Sequence, residues 1–197
     1  MCLNNVERCE KMKKKIFKAI SVVGVLLVLC SAIFIVHHFF IGSWSNNNIN
    51  RYIELTEYRR VPKIDELGKY NDIEFKYYRK NMLMFFSDAY ILKVSYDAEN
   101  YQKEKEDFLK NYVYETENLI DYYGDGCSNE PNFEMDTYSF KVLSSREYGL
   151  QSYPHDIVFI GTSDEKHEIA IVYYFNSDLD YIDSSFPEFI KEECGWE

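Results

Sequence analysis

Residues 72–96 read DIEFKYYRKNMLMFFSDAYILKVSY, and their period decides the fold. Ile73, Phe75 and Tyr77 alternate with Glu74, Lys76 and Tyr78, the pattern of a strand with one buried face. Arg79-Lys80-Asn81 reads as a turn, after which MLMFF resumes an apolar strand that Ser87-Asp88 interrupts. Tyr90, Leu92, Val94 and Tyr96 carry the alternation on, and Asp97 is a natural helix N-cap.

The period then changes. In DAENYQKEKEDFLKNYVYETENL (97–119), Tyr101, Phe108, Leu109, Tyr112 and Val113 fall on one stripe of a helix. Lys103, Glu104, Lys105, Glu106 and Asp107 form its solvated face. Residues 121–132, DYYGDGCSNEPN, are the strongest turn cluster, and strand character returns over 133–143. DIVFIGT and EIAIVYYF, joined by SDEKH, read as a hairpin. SSFPEFIKEECGW closes with a Ser cap, Pro187 in the first turn and Gly195 after the last, a short helix. Upstream, residues 51–61 have mixed periodicity, and PKIDELGKY reads as a helical turn closed by Gly68. Strands in consecutive runs around one main helix imply an α+β domain. The expectation is an antiparallel sheet of about five strands, packed by one long and one or two short helices.

Ahead of this domain, Ala19 to Ile41 (AISVVGVLLVLCSAIFIVHHFFI) carries no Asp, Glu, Lys or Arg. A helix of that length rises about 34 Å, enough for a hydrocarbon core of about 30 Å. Six bases against Glu7 and Glu10 make residues 1–18 a basic tail, whereas residues 42–50 are uncharged. The positive-inside rule then places the N-terminus in the cytoplasm and the rest outside, with Trp44, Phe39 and Phe40 as an outer aromatic belt. A cleaved signal has a shorter apolar core and a small-x-small site. Here the nearest such triplet, Ser43-Trp44-Ser45, has a bulky centre, and Leu29 before Cys30 does not suit a lipobox. The segment reads as an uncleaved single-pass anchor. The expected layout is a cytoplasmic tail (1–18), a membrane span (19–41), a polar linker (42–50) and an acidic, Tyr-rich extracytoplasmic domain (51–197).

Beyond the anchor, sixteen bases face thirty-one acids, a net −15 within a chain of −11. Such a surface repels nucleic acid and anionic headgroups, so the expected partners are the lipid bilayer through residues 19–41 and a protein outside the cytoplasm. All 18 tyrosines and ten of the 14 phenylalanines lie there, where the ring suits half-buried sheet faces and binding surfaces alike. Abundant Asn, Lys, Ile, Tyr and Phe with few Ala fits AT-rich coding, as in low-GC bacteria.

Chemistry is sparse. His155 and His167 flank the two hairpin strands, a spacing that does not favour a shared site. Cys127 and Cys194 are the only cysteines beyond the membrane, compatible with one bridge, and nothing in the spacing makes Cys127 with His155 a thiol pair. The acids Asp121 and Asp125, and Asp178, Asp180 and Asp183, do not match a calcium loop. The chain has no P-loop, dinucleotide glycine pattern, H-E-x-x-H, nucleophile elbow or zinc-ligand spacing. No catalytic residue, cofactor site or metal site is assigned. A tethered, non-catalytic binding or accessory module of the immunity or sensor type is the first expectation. A cell-envelope hydrolase using paired carboxylates is the alternative.

Overall fold

Alternation dictates the centre of the molecule, a seven-stranded sheet in the order β1-β2-β3-β7-β6-β5-β4. The computed structural model describes residues 3–56, 61–83, 85–119, 128–144, 156–177 and 182–197. The strands are β1 (Ile41–Asn46), β2 (Asp72–Met82), β3 (Phe85–Ser95), β4 (Asn132–Met135), β5 (Tyr138–Val142), β6 (Asp156–Ser163) and β7 (Glu168–Asn176). The helices are α1 (Leu3–Phe40), α2 (Asn50–Thr56), α3 (Ala98–Asn111) and α4 (Phe186–Glu193), with a 3-10 turn at Ile64–Glu66. β2–β3, β6–β7 and β4–β5 are antiparallel hairpins, and β3–β7 and β6–β5 pair antiparallel to join them.

The chain divides into two units, residues 1–42 and 43–197. The first is dominated by α1, whose stretch Lys15–Val36 contains 18 consecutive residues of mean hydropathy 2.9, unburied. That length and composition suffice to cross a membrane. The second unit holds the sheet.

Both faces of that sheet are covered. On one, Phe75, Tyr77, Tyr90, Leu92, Val158, Ile160, Ile171 and Tyr173 pack against Tyr52 of α2 and Tyr101 and Phe108 of α3. On the other, Ile91, Phe140, Phe159, Val172 and Tyr174 pack under Phe186, Phe189 and Ile190 of α4. Strands β3, β7 and β6 are therefore buried on both sides, which is why VFI and IAIVYY run apolar without alternation. Side-chain size is fitted locally: a Cβ on Gly161 would lie 2.5 Å from the Phe140 ring, so the glycine makes room for that ring.

The α+β class and the antiparallel sheet agree with the sequence, but the strand count is seven rather than about five. One addition is β1, whose residues IGSWSN carry no apolar alternation and take in the last residue expected in the span and the first five expected in the linker. The other arises because residues 133–143 are two strands. Asp136 adopts φ 54° and turns the chain between them. Arg79-Lys80-Asn81 is not a turn either; it continues β2, which reaches Met82 before a two-residue connection to Phe85. Ser87 and Asp88 lie within β3, both buried.

α3 begins as expected, with the Asp97 carboxylate accepting the Asn100 amide at 2.8 Å. It stops at Asn111, and residues beyond it run extended, bridging Tyr114 to Leu143 and Leu119 to Asn129. Leu109 and Val113, assigned to the apolar stripe, are exposed. Glu104, assigned to the solvated face, is buried and accepts the Gly68 amide at 3.0 Å. α4 has the expected Ser cap, at Ser185, and Pro187 in its first turn, and the cap is closed by Glu188, whose carboxylate accepts the Ser185 amide. Gly195 at φ 70° then reverses the chain.

Candidate functional site

The densest chemistry on the sheet is a row of aromatic rings and carboxylates at the β2–β3–β7–β6 centre. Register places Tyr77 opposite Tyr90 and Tyr90 opposite Tyr173, all facing the α3 side. Their rings stack at 5.4 and 5.0 Å, and Trp44 of β1 meets Tyr77 edge-on at 5.0 Å. One row toward the β2–β3 connection, Asp88 and Asp156 both pair with Phe175, one on either side of β7. Two strand spacings, about 9.6 Å, separate their backbones.

That separation resembles a carboxylate pair, but the partners speak for structure. The Tyr77 hydroxyl donates to Asp88, and the Arg79 guanidinium lies 3.4 Å from the same oxygen. Arg79 also covers the Phe86 ring at 4.1 Å. Tyr173 donates to Asp156 at 3.2 Å. Burial, then the bond to Asp88, pushes the Tyr77 phenol above its ordinary value.

The same clip recurs at the far end of the sheet. Tyr101 and Lys105 both donate to Asp164, which holds that carboxylate below its usual range, and Tyr138 and Ser95 both donate to Glu168. Each of these three clips joins a buried phenol, a carboxylate and a second donor, so the hydroxyls of Tyr77, Tyr101 and Tyr138 are satisfied. Among the described residues, most tyrosines are buried inside the domain.

Two of the clefts lined by described residues hold charged side chains. One of about 550 Å³ is walled by Ile73, Glu74, Phe75, Lys76, Lys93, Gly195 and Glu197. Its lysines already serve the C-terminal residues: Lys76 donates to the Gly195 carbonyl at 2.8 Å and to Glu197 at 2.9 Å. Lys93 lies 4.1 Å from the centre of the Trp196 ring, and burial lowers its pKa. The other, about 420 Å³, lies between the 3-10 turn and α3 and contains Glu66, Glu104, Asp107 and Lys103.

Of the residues considered from sequence, His167 occupies the β6–β7 turn at φ 53°, its ring 5.5 Å from that of Tyr101. Cys194 is a free, wholly buried thiol whose pKa burial raises. Asp183 is exposed. Cys127, His155, Asp121, Asp125, Asp178 and Asp180 lie outside the described residues. Among the described residues no group of three or more His, Cys, Asp or Glu is placed to hold a metal ion.

Sequence reading missed Asp88, which resembled a strand break because its partners Tyr77 and Arg79 belong to the neighbouring strand. It also missed that Met82, Leu83 and Phe85 lie at a hairpin tip, since no Gly, Asn or Asp marks the connection. Comparison with protein-family models, with curated proteins and with solved structures gives no match in any of the three.

Proposed function

We propose that this is a single-pass membrane protein, N-terminus cytoplasmic, whose acidic domain acts outside as a non-catalytic protein-binding or accessory module. One observation carries the reading: Lys15–Val36 is a 22-residue helical span containing 18 residues of mean hydropathy 2.9, unburied, joined to a domain with a core of its own. A helix so apolar belongs in lipid, because exposing it to water forfeits the transfer free energy of every side chain. The bases before it and the uncharged residues after it support the orientation. The binding assignment is supported by where the polar chemistry goes: the tyrosine–carboxylate clips hold the core together, leaving an acidic outer surface suited to a basic protein.

Epitope tags at the two termini test the topology in intact protoplasts. Antibody should reach the C-terminal tag at once and the N-terminal tag only after permeabilisation; the reverse would invert the assignment. Crosslinking in living cells tests the second half, and repeated failure to recover a protein partner counts against it.

A further inference from the structure

We propose that the β2–β3 hairpin tip, through Met82, Leu83 and Phe85, dips into the surface of the bilayer that anchors the chain. This rests on the reading of α1 as that anchor.

The tip is apolar where a soluble protein is polar. Met82, Leu83 and Phe85 are 43%, 64% and 39% exposed, clustered on one two-residue connection. Leu83 also holds φ 59°. Tight hairpin connections favour Asn, Asp or Gly at positive φ, because a Cβ is crowded there. A leucine is a poor choice for folding at that position, and local strain retained by a fold points to a use elsewhere.

The placement of the tip identifies the partner. Trp44 of β1 packs on Tyr77, while Asn47, three residues on, lines the cleft beside Ile73 and Phe75. β1 thus runs against β2, and Ser43, where the chain enters the domain, lies toward the Met82 end. The opposite end of the sheet is the β6–β7 turn, where Asp164, Glu165 and Lys166 are exposed and charged. Within the domain, its first residue and the exposed apolar tip therefore lie toward the same end of the β2–β3 hairpin, and the charged β6–β7 turn lies at the other.

Two further points favour lipid over protein. Three side chains offer far less than the roughly 800 Å² per partner of a stable protein interface, whereas a tether makes even weak insertion effective. Below the tip, Arg79 and Lys80 are paired with Asp88 and Glu193, so its base is locally neutral. The −15 charge of the domain does not repel headgroups there.

The test uses the full chain in vesicles of phosphatidylcholine and phosphatidylglycerol, with photoreactive benzoylphenylalanine placed singly at Val28, Leu83 or Glu165. Lipid adducts at Val28 and Leu83, with loss of the adduct at Glu165, are expected. An adduct at Val28 but none at Leu83 overturns the tip proposal and leaves the anchor standing. None at Val28 removes the anchor itself. In native membranes, a protein adduct in place of lipid at Leu83 overturns the lipid assignment. Leu83→Asn guards against misfolding, since Asn tolerates positive φ. It should leave the melting temperature unchanged or raised while reducing the lipid adduct read from a probe at Phe85; a lowered melting temperature would show that Leu83 serves folding instead.

Discussion

Two buried tyrosine hydroxyls meet opposite fates in this sheet. The Tyr77 hydroxyl donates to Asp88, whereas that of Tyr96 is buried with no hydrogen-bond partner among the described residues. Removing a satisfied hydroxyl strands its acceptor, and removing an unsatisfied one relieves a desolvation cost. Tyr77→Phe should therefore destabilise by about 1–2 kcal/mol, and Tyr96→Phe should be neutral or stabilising by about 1 kcal/mol. Urea unfolding of both variants measures the difference, and equal losses would refute the assignment. The alternating positions of both residues are visible in the sequence. Their partners are not, because Asp88 comes eleven residues after Tyr77 and meets it only across the hairpin.

At the scale of elements, the tail after α4 shows what local signals convey and what they omit. Ser185, Pro187 and Gly195 mark the helix ends by backbone rules that need no neighbours. Trp196 depends wholly on neighbours. Its ring meets Phe140 and Tyr138 edge-on at 5.6 and 5.2 Å, and its indole N–H donates to Asp136 at 2.7 Å. Trp196→Ala should cost about 3–5 kcal/mol, since a buried ring is removed from a site that cannot collapse around it. Trp196→Phe separates packing from charge. The indole bond, with help from Lys191, holds Asp136 below the usual carboxylate range. A carboxylate with a depressed folded pKa lends stability above its unfolded pKa and loses it as pH falls through the folded value. The Phe variant should accordingly show a shallower loss of stability on acidification below about pH 4 than the parent. Chemical denaturation at several pH values reads this directly, and unchanged pH dependence would contradict it.

For the whole molecule, the abundance of tyrosine becomes a property of the fold. Burial, as the largest cause, raises the phenols of Tyr52, Tyr77, Tyr96, Tyr101, Tyr112, Tyr114 and Tyr138, and pushes Tyr174 up to about 12. The folded state thus holds these protons more tightly than the unfolded chain. Stability from this source is complete below about pH 10, the unfolded value, and falls as pH rises through the folded values. Absorbance at 295 nm should rise in a cooperative alkaline step coincident with loss of secondary structure by circular dichroism. A gradual titration with the fold intact would show that these rings are open to solvent.

Local chemistry alone determined the apolar helix, the Asp97 and Ser185 caps, the β6–β7 hairpin and the α+β class, because each rests on periods and backbone preferences within a few residues. Tertiary structure decided the rest. β1 and the division of 133–143 into β4 and β5 depend on which strand edges remain to be paired. The burial of Glu104 depends on the Gly68 amide, 36 residues away. The exposed tip at Leu83 exists because Arg79-Lys80-Asn81 found partners and stayed in the strand. Local sequence specifies conformations; pairing and burial select among them, and only the folded chain brings those partners together.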